Sequence, residues 1–140
     1  MITSRKIFAA FVVSSLLFIA SCTKTDDLTT SSDAERYTGS WICAEQVYDA
    51  TKKTYVDNAT FTITISKVDD NTVRISNFNN LKEDANASVS GSVLTIPAQT
   101  SSGKNKFDGN GSLSGDDLTL TYTVDVGQGK ESFKASCSKQ

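Results

Sequence analysis

Strict alternation of apolar and polar residues is the feature that most constrains how this chain can fold. The segment Phe61–Ile65 alternates without a break, and Leu118–Val124 repeats the pattern over a longer run. In an extended chain every second side chain points to the same face, so each run has one apolar face and one polar face. Threonine dominates the polar faces, which suits a pleated surface because β-branched side chains pack well there. The alternation predicts half-buried β-strands and not helices.

Eight short runs of this kind follow one another along the chain, and clusters of Gly, Asn, Asp and Ser separate them. Connections this short join antiparallel neighbours, and eight twisted strands can close into a barrel that leaves no exposed edge. We therefore predict an all-β fold, an eight-stranded antiparallel up-and-down barrel, with a β-sandwich as the alternative. The predicted strands are residues 40–48, 54–66, 72–77, 85–90, 93–97, 105–113, 117–125 and 131–138.

The first residues of the chain have the pattern of a secretory signal. A basic start is followed by the apolar run Phe8–Ala20, which is too short for a bilayer anchor, since a spanning helix needs about 20 residues. The run leads into Ile19-Ala20-Ser21-Cys22, which resembles the lipobox of bacterial lipoproteins. This resemblance implies cleavage before Cys22, a diacylglycerol on its sulfur and an acyl chain such as palmitate on its amine, which together anchor a protein stably. The alternative is an ordinary signal peptide that ends before a cysteine by chance.

The segment after Cys22 is polar and predicts a flexible tether. Only two of residues 23–36 are apolar, too few to offset the entropy lost on ordering. Lys24-Thr25-Asp26-Asp27 resembles the export signal of Bacteroidota surface lipoproteins and implies a place on the cell surface, at the outer membrane; a solvated charge pair is the alternative. We therefore divide the chain into a lipoprotein signal peptide (residues 1–21), the lipidated Cys22 with its tether (residues 22–36) and a barrel domain (residues 37–140).

Closure of the barrel makes a prediction about the two remaining cysteines. The first strand would pair antiparallel with the last, and a register that places Cys43 opposite Cys137 also places Val47 opposite Phe133. Outside the cytoplasm, two thiols at the ends of one domain commonly form a disulfide. We therefore predict a disulfide between Cys43 and Cys137, with two free buried thiols or a metal pair as the alternatives.

The start of the first strand carries a motif of a known family. Gly39-Ser40-Trp41 resembles the Gly-x-Trp motif of lipocalin-type barrels. Together with the leader, the tether and the short strands around residues 89–97, it makes the chain similar to small lipocalin-like lipoproteins of Bacteroidota. The resemblance implies that Trp41 packs across one end of the barrel under a basic residue of the last strand, a position that Lys139 matches. It also implies that the barrel binds a small, often apolar ligand in its interior.

Alternation also predicts which side chains point into the barrel. An eight-stranded barrel is just wide enough to be filled by side chains or to hold one small ligand. The small residues Ala85, Ala87, Gly109 and Gly111 could leave space at one side, so a packed core and a pocket both remain open. The predicted inward residues are Trp41, Cys43, Val47, Phe61, Ile63, Ile65, Val73, Ile75, Val89, Leu94, Ile96, Phe107, Leu113, Leu118, Leu120, Tyr122, Val124, Phe133, Ala135 and Cys137.

The candidates for contact with a ligand are Trp41, Glu45, Phe78 and Tyr122. Glu45 has the same parity as Trp41, so it is either a buried carboxylate that needs a partner or a ligand, or a residue that a shifted register turns elsewhere or that lies at the wet rim of the barrel. Tyr122 either presents its hydroxyl to a cavity or belongs to the core with its tip near water. Phe78 lies with Leu81 in the connection after the third strand, where it either covers the barrel as a lid or plugs its end.

Composition excludes several classes of function. The 140 residues include no histidine, so neither a Ser-His-Asp or Cys-His catalytic group nor a His-ligated metal site can be built. With 14 basic and 16 acidic residues and a net charge of −2, the chain lacks the basic footprint of a nucleic-acid-binding protein. We therefore expect no enzyme activity, no metal, no cofactor and no nucleic-acid partner.

Two classes of function remain. The first is a monomeric cell-envelope lipoprotein, held at the membrane by its lipid anchor, whose lipocalin-like barrel binds a small hydrophobic or amphiphilic ligand. The alternative is a non-catalytic surface interaction or inhibitor protein, with a solid barrel and loops that contact a protein partner. The first class predicts a cavity with an open mouth. The second predicts a filled core and an exposed apolar loop patch, for which Phe78 is the candidate.

Overall fold

The computed structural model of this chain describes residues 31–140. The predicted signal peptide, Cys22 and the tether up to residue 30 lie outside the described residues. Within residues 31–140, no helix is both long enough and apolar enough to cross a membrane.

Eight antiparallel strands close into a barrel in the described part of the chain. Each strand pairs with the next along the chain, and β1 also pairs with β8, so the sheet has no open edge. This confirms the predicted up-and-down barrel and excludes the β-sandwich. A short helix, α1 (Asp33–Tyr37), precedes the strands. The strands are β1 Gly39–Asp49, β2 Thr54–Asp69, β3 Thr72–Phe78, β4 Glu83–Ser90, β5 Val93–Thr100, β6 Lys106–Ser114, β7 Asp117–Asp125 and β8 Lys130–Lys139.

The register between β1 and β8 is the one that the sequence predicts. Cys43 lies opposite Cys137, and Val47 lies opposite Phe133. The two cysteines form a disulfide across a sequence separation of 94, which confirms the predicted pairing against free thiols or a metal pair. The bond joins the first strand to the last, so the barrel is closed by a covalent link as well as by hydrogen bonds.

The two ends of the barrel differ in the length of their connections. One end, which we term the base, consists of α1 and the short turns 70–71, 91–92 and 115–116. The other end, which we term the mouth, consists of the longer connections 50–53, 79–82, 101–105 and 126–129. Binding residues concentrate on loops that a rigid scaffold positions, so the mouth is the end where a site is expected.

Helix α1 covers the base. Ala34 and Tyr37 are buried, and the Tyr37 hydroxyl donates to the backbone carbonyl of Gly91 at 3.2 Å. Trp41 Nε1 donates to the backbone carbonyl of Tyr37 at 2.9 Å, which satisfies the one polar group of the buried indole. Residues 33–36, the end of the segment predicted as a tether, therefore belong to a helix that packs on the barrel.

Lys139 stands over the Trp41 ring at the base. Its Nζ lies 5.4 Å from the centre of that ring and donates to the backbone carbonyl of Arg36 at 3.3 Å. Trp41 has no exposed surface. The arrangement agrees with the architecture that the lipocalin resemblance implies, a tryptophan packed across one end under a basic residue of the last strand.

Side chains fill the interior between the base and the mouth. Every predicted inward residue is buried except Val47, which is half-buried. The two inward glycines are covered rather than open: a Cβ placed on Gly109 would lie 2.5 Å from Cβ of Tyr122, and one on Gly111 would lie 2.7 Å from Cδ2 of Leu120. The sequence leaves both a packed core and a pocket open, and the structure shows a packed core around these residues.

Candidate functional site

Glu45 is the one charged residue that the fold buries within residues 31–140, with 3% of its surface exposed. It lies in β1, on the inward face that also carries Trp41 and Cys43. The register of β1 against β2 shifts directly after it, between Glu45 and Gln46, and such a bulge ends the alternation of a strand locally. The structure therefore shows the buried position for Glu45, and not the wet rim.

Three side chains donate hydrogen bonds to the Glu45 carboxylate. Asn58 Nδ2 donates to Oε1 at 2.7 Å, and Asn79 Nδ2 donates to Oε2 at 3.0 Å. The Tyr122 hydroxyl also donates to Oε2, and it accepts from Asn79 Nδ2 at 3.3 Å. All of these groups present protons to the carboxylate, which is the arrangement that an ionised carboxylate requires because it can only accept.

Glu45 forms no ion pair with a side chain of residues 31–140. A buried charge that only neutral dipoles offset is costly, because the protein interior screens and solvates it less than water does. Within residues 31–140, the side-chain groups that stabilise this charge are therefore the three neutral hydrogen-bond donors described above. The ion pairs within these residues join Lys52 to Asp49, Lys67 to Asp70 and Lys130 to Asp108.

Tyr122 supports the carboxylate from inside the barrel. Burial, followed by the hydrogen bond to Glu45, raises the pKa of the Tyr122 hydroxyl well above its ordinary value, so this group stays a neutral donor. Its ring lies 4.6 Å from the ring of Phe78 and stacks on that of Phe133 at 5.5 Å, measured between ring centres. The ring of Tyr122 therefore belongs to the core, while its hydroxyl meets a buried carboxylate rather than an open cavity.

Phe78 plugs the mouth of the barrel. It is almost fully buried, and its ring centre lies 5.1 Å from that of Phe107, in addition to its contact with Tyr122. Leu81, which the sequence groups with Phe78, is exposed at the mouth instead. Of the two roles that the sequence leaves open, Phe78 therefore acts as the plug.

The backbone around Phe78 departs from regular strand geometry, and the Phe78 ring points into the barrel. The pairing of β3 with β4 is irregular between Ile75 and Phe78. Asparagine enters the left-handed region more easily than most residues, so an asparagine-rich segment suits this backbone. The residues with left-handed backbone here are Asn77, Asn79, Asn80 and Lys82.

The mouth carries a depression of about 480 Å³ above Glu45, which we term the mouth depression. The carboxylates of its wall are those of Glu45 and Glu131, and among the described residues no basic side chain lines it. Its apolar wall consists of Val47, Ala59, Leu81, Val126 and Phe133. The depression therefore combines a buried negative charge with an apolar rim that is open to solvent.

The structure brings three of the four predicted ligand contacts together. Glu45, Phe78 and Tyr122 meet at the mouth through the hydrogen bond and the ring contact described above. Trp41 lies at the base with α1, away from this group. The candidate site is therefore the mouth depression with the carboxylate beneath it, and Trp41 belongs to the closed end.

Sequence reasoning misses Asn58 and Asn79. Asn58 lies in β2 where the register against β1 shifts, and Asn79 lies in the left-handed connection after β3. The alternation of a regular strand does not predict at either position that the side chain points toward Glu45. The asparagines of residues 77–80 are a local signal for left-handed backbone, but they do not predict which group the side chains contact.

Tyr122→Phe is expected to lower the free energy of unfolding by about 1.5–3 kcal/mol, because it removes a hydrogen bond to a charged group and keeps the ring. Tyr37→Phe is the matched control, since its hydroxyl donates to a neutral carbonyl, and its expected cost is about 0.5–1.5 kcal/mol. Urea denaturation measures both variants. A cost for Tyr122→Phe no larger than that for Tyr37→Phe would contradict the charged character of the contact at Glu45.

Comparison with known proteins assigns no family to the chain. No family model matches it, and a search of the curated proteins finds no match. The closed eight-stranded barrel is consistent with a lipocalin-like fold. Function therefore has to be argued from the mouth depression and its residues.

Proposed function

We propose that this protein is a non-catalytic lipoprotein of the cell envelope whose barrel binds a small amphiphilic molecule at its mouth. The observation that carries the proposal is the carboxylate of Glu45, which is buried beneath an open, apolar-walled depression and forms no ion pair within residues 31–140. Small-molecule sites combine apolar walls with a few placed polar groups. The mouth depression has both features at one place.

The filled interior supports a ligand at the mouth and not deep in the barrel. The rings of Phe78, Phe107, Tyr122 and Phe133 occupy the space directly below the mouth, with neighbouring ring centres 4.6–5.5 Å apart. An apolar ligand in the interior would have to displace these rings and lose their packing. A ligand in the depression would contact the exposed residues of the rim and would displace none of these rings.

Attachment through a lipid on Cys22 would point the mouth away from the membrane. The chain enters the barrel at the base, through α1, and β1 then runs from the base to the mouth. A tether that precedes α1 would therefore hold the base nearer to the bilayer. This orientation, together with the resemblance of residues 24–27 to an export signal, supports a protein at the outer membrane whose mouth faces the cell exterior. The acidic sequence pI of about 5.0 supports a protein without a nucleic-acid partner.

A second candidate function is contact with a protein partner through the mouth. It is favoured by the filled core together with exposed apolar side chains at this end, namely Tyr48, Leu81 and Val126. Apolar residues grouped on loops are typical of interaction surfaces. The two candidates use the same end of the barrel but differ in what they require of Glu45, which only the first uses as a binding group.

Intact mass measurement of protein released from the membranes of its own host tests both the anchor and the ligand. We expect the mass of residues 22–140 plus covalent acyl chains, less two hydrogens for the disulfide. Under native conditions we expect a reproducible additional mass from a non-covalent small molecule. A clean native mass would favour the second candidate over the first. Retention of a Cys22→Ala form in the membrane fraction would contradict the lipid anchor.

A further inference from the structure

One oxygen of the Glu45 carboxylate has room for another donor. Within residues 31–140, Oε2 accepts from both Asn79 and Tyr122, whereas Oε1 accepts from Asn58 alone. An ionised carboxylate offers about four acceptor positions over its two oxygens. Glu45 lines the mouth depression together with Asn58 and Asn79, so a donor that enters the depression comes close to the carboxylate, and Oε1 is the oxygen with fewer donors.

The lysines of the mouth do not supply that donor in the structure. Lys52 and Lys130 form ion pairs with aspartates. Lys134 lines a second depression together with Glu45 and Asn58, but its Nζ lies 4.3 Å from the centre of the Tyr55 ring and makes no ion pair with Glu45. Lys82, although it belongs to the same connection as Asn79, lines a different depression on the outer wall of the barrel. The negative charge at the mouth depression is therefore left for a group from outside the described residues.

The chemistry of the depression favours one class of ligand. A cation that meets a largely buried carboxylate at a protein surface interacts more strongly than the same pair would in bulk water, because the effective dielectric constant there is lower. An anion would meet Glu45 and Glu131, and a neutral molecule would leave the buried charge as it is. The apolar wall of Leu81, Val126 and Phe133 can cover a hydrocarbon chain attached to the cation.

We propose that the mouth binds a cationic amphiphile, an ammonium group on a short apolar chain, with the Glu45 carboxylate as its counter-ion. The ammonium donates to Oε1 of Glu45, and the apolar chain lies against Leu81 and Val126. The inference rests on the proposed function and specifies the charge of the ligand. It also assigns the buried carboxylate a binding role in addition to its place in the hydrogen-bonded group with Asn79 and Tyr122.

Titration calorimetry with a matched set of probes tests the charge preference. Helix α1, the eight strands and the disulfide all lie within residues 31–140, so the chain lacking residues 1–22 keeps the whole folded unit. The probes are octylammonium, octyl sulfate and octyl glucoside below their micelle concentrations, which share a tail and differ in the charge of the head. We expect octylammonium to bind at least about tenfold more tightly than the other two, as expected for a cation paired with a shielded carboxylate.

Variants separate the buried carboxylate from the general acidity of the protein. Glu45→Gln keeps the size of the side chain and removes its charge, and we expect it to weaken octylammonium binding at least about tenfold. Glu35→Gln, on α1 at the base, removes one exposed charge and is expected to leave binding unchanged. Leu81→Ala is expected to weaken all probes that bind, because it shortens the apolar wall.

The outcomes distinguish the inference from the proposed function. If octyl sulfate or octyl glucoside binds as well as octylammonium, or if Glu45→Gln binds octylammonium like the wild type, the cation inference is overturned while a mouth site for amphiphiles stands. If no probe binds, the inference is overturned, and a clean native mass from the host would overturn the proposed function as well. If Glu45→Gln does not fold, the preference of the wild-type protein among the three probes decides.

Discussion

Replacing Phe78 by alanine is expected to lower the free energy of unfolding by about 3–5 kcal/mol, the usual cost of removing a large ring from a core. The ring is almost fully buried and lies 4.6 Å from the ring of Tyr122 and 5.1 Å from that of Phe107, between ring centres. Because Tyr122 and Phe107 belong to paired strands, they cannot collapse fully into the space that the ring leaves. Urea denaturation of the disulfide-bonded protein measures the loss.

Leu81→Ala is the matched control for this experiment. Leu81 lies in the connection that follows Phe78, yet 36% of its surface is exposed, so its truncation is expected to change stability by no more than about 0.5 kcal/mol. A cost below about 1 kcal/mol for Phe78→Ala would mean that the ring does not plug the mouth. It would also remove the argument that places the ligand above the core.

Loss of the disulfide is the second large effect that we expect. The bond between Cys43 and Cys137 spans a sequence separation of 94, and the chain-entropy model assigns about 4.7 kcal/mol to a loop of about 100 residues. The double variant Cys43→Ala, Cys137→Ala is therefore expected to lose about 2–5 kcal/mol of stability. For a domain of this size that corresponds to a fall in Tm of at least about 8 °C.

Reduction provides an internal control for the disulfide prediction. A reductant should lower the Tm of the wild-type protein toward that of the double variant and leave the double variant unchanged. Non-reduced protein from the host should weigh two hydrogens less than the same protein after reduction. Equal Tm values for the wild type with and without reductant, together with a full mass, would contradict the bond.

The alternation of the sequence predicts the strands and their inward faces because a period of two leaves little freedom in which face a residue occupies. A shift of one residue would turn the whole apolar face of a strand outward. For the first and last strands, this constraint allows the register with Cys43 opposite Cys137, which is the register that the structure shows. The same rule aims Glu45 inward, and Val47, beyond the shift in the pairing with β2, still packs against the core although it is only half-buried.

The mouth could not be predicted to the same depth, because its contacts join residues far apart in the chain. Asn58 and Asn79 reach Glu45 from β2 and from the connection after β3, across separations of 13 and 34 residues. No local period relates such positions. The role of α1 is likewise a tertiary effect: Asp33–Tyr37 is polar on most of its surface, and its helix is held at the base by the burial of Ala34 and Tyr37.

An NMR titration that locates the bound ligand tests most directly whether the binding site is at the mouth. In an NMR titration of the ¹⁵N-labelled chain lacking residues 1–22 with octylammonium, amide signals of the mouth should shift, above all Glu45, Asn58 and residues 79–82 and 126–131. The indole N–H of Trp41, from the one tryptophan of the chain, reports on the base and should not move. Shifts that centre on Trp41 or on core residues such as Leu94, or no shifts at all, would contradict a binding site at the mouth.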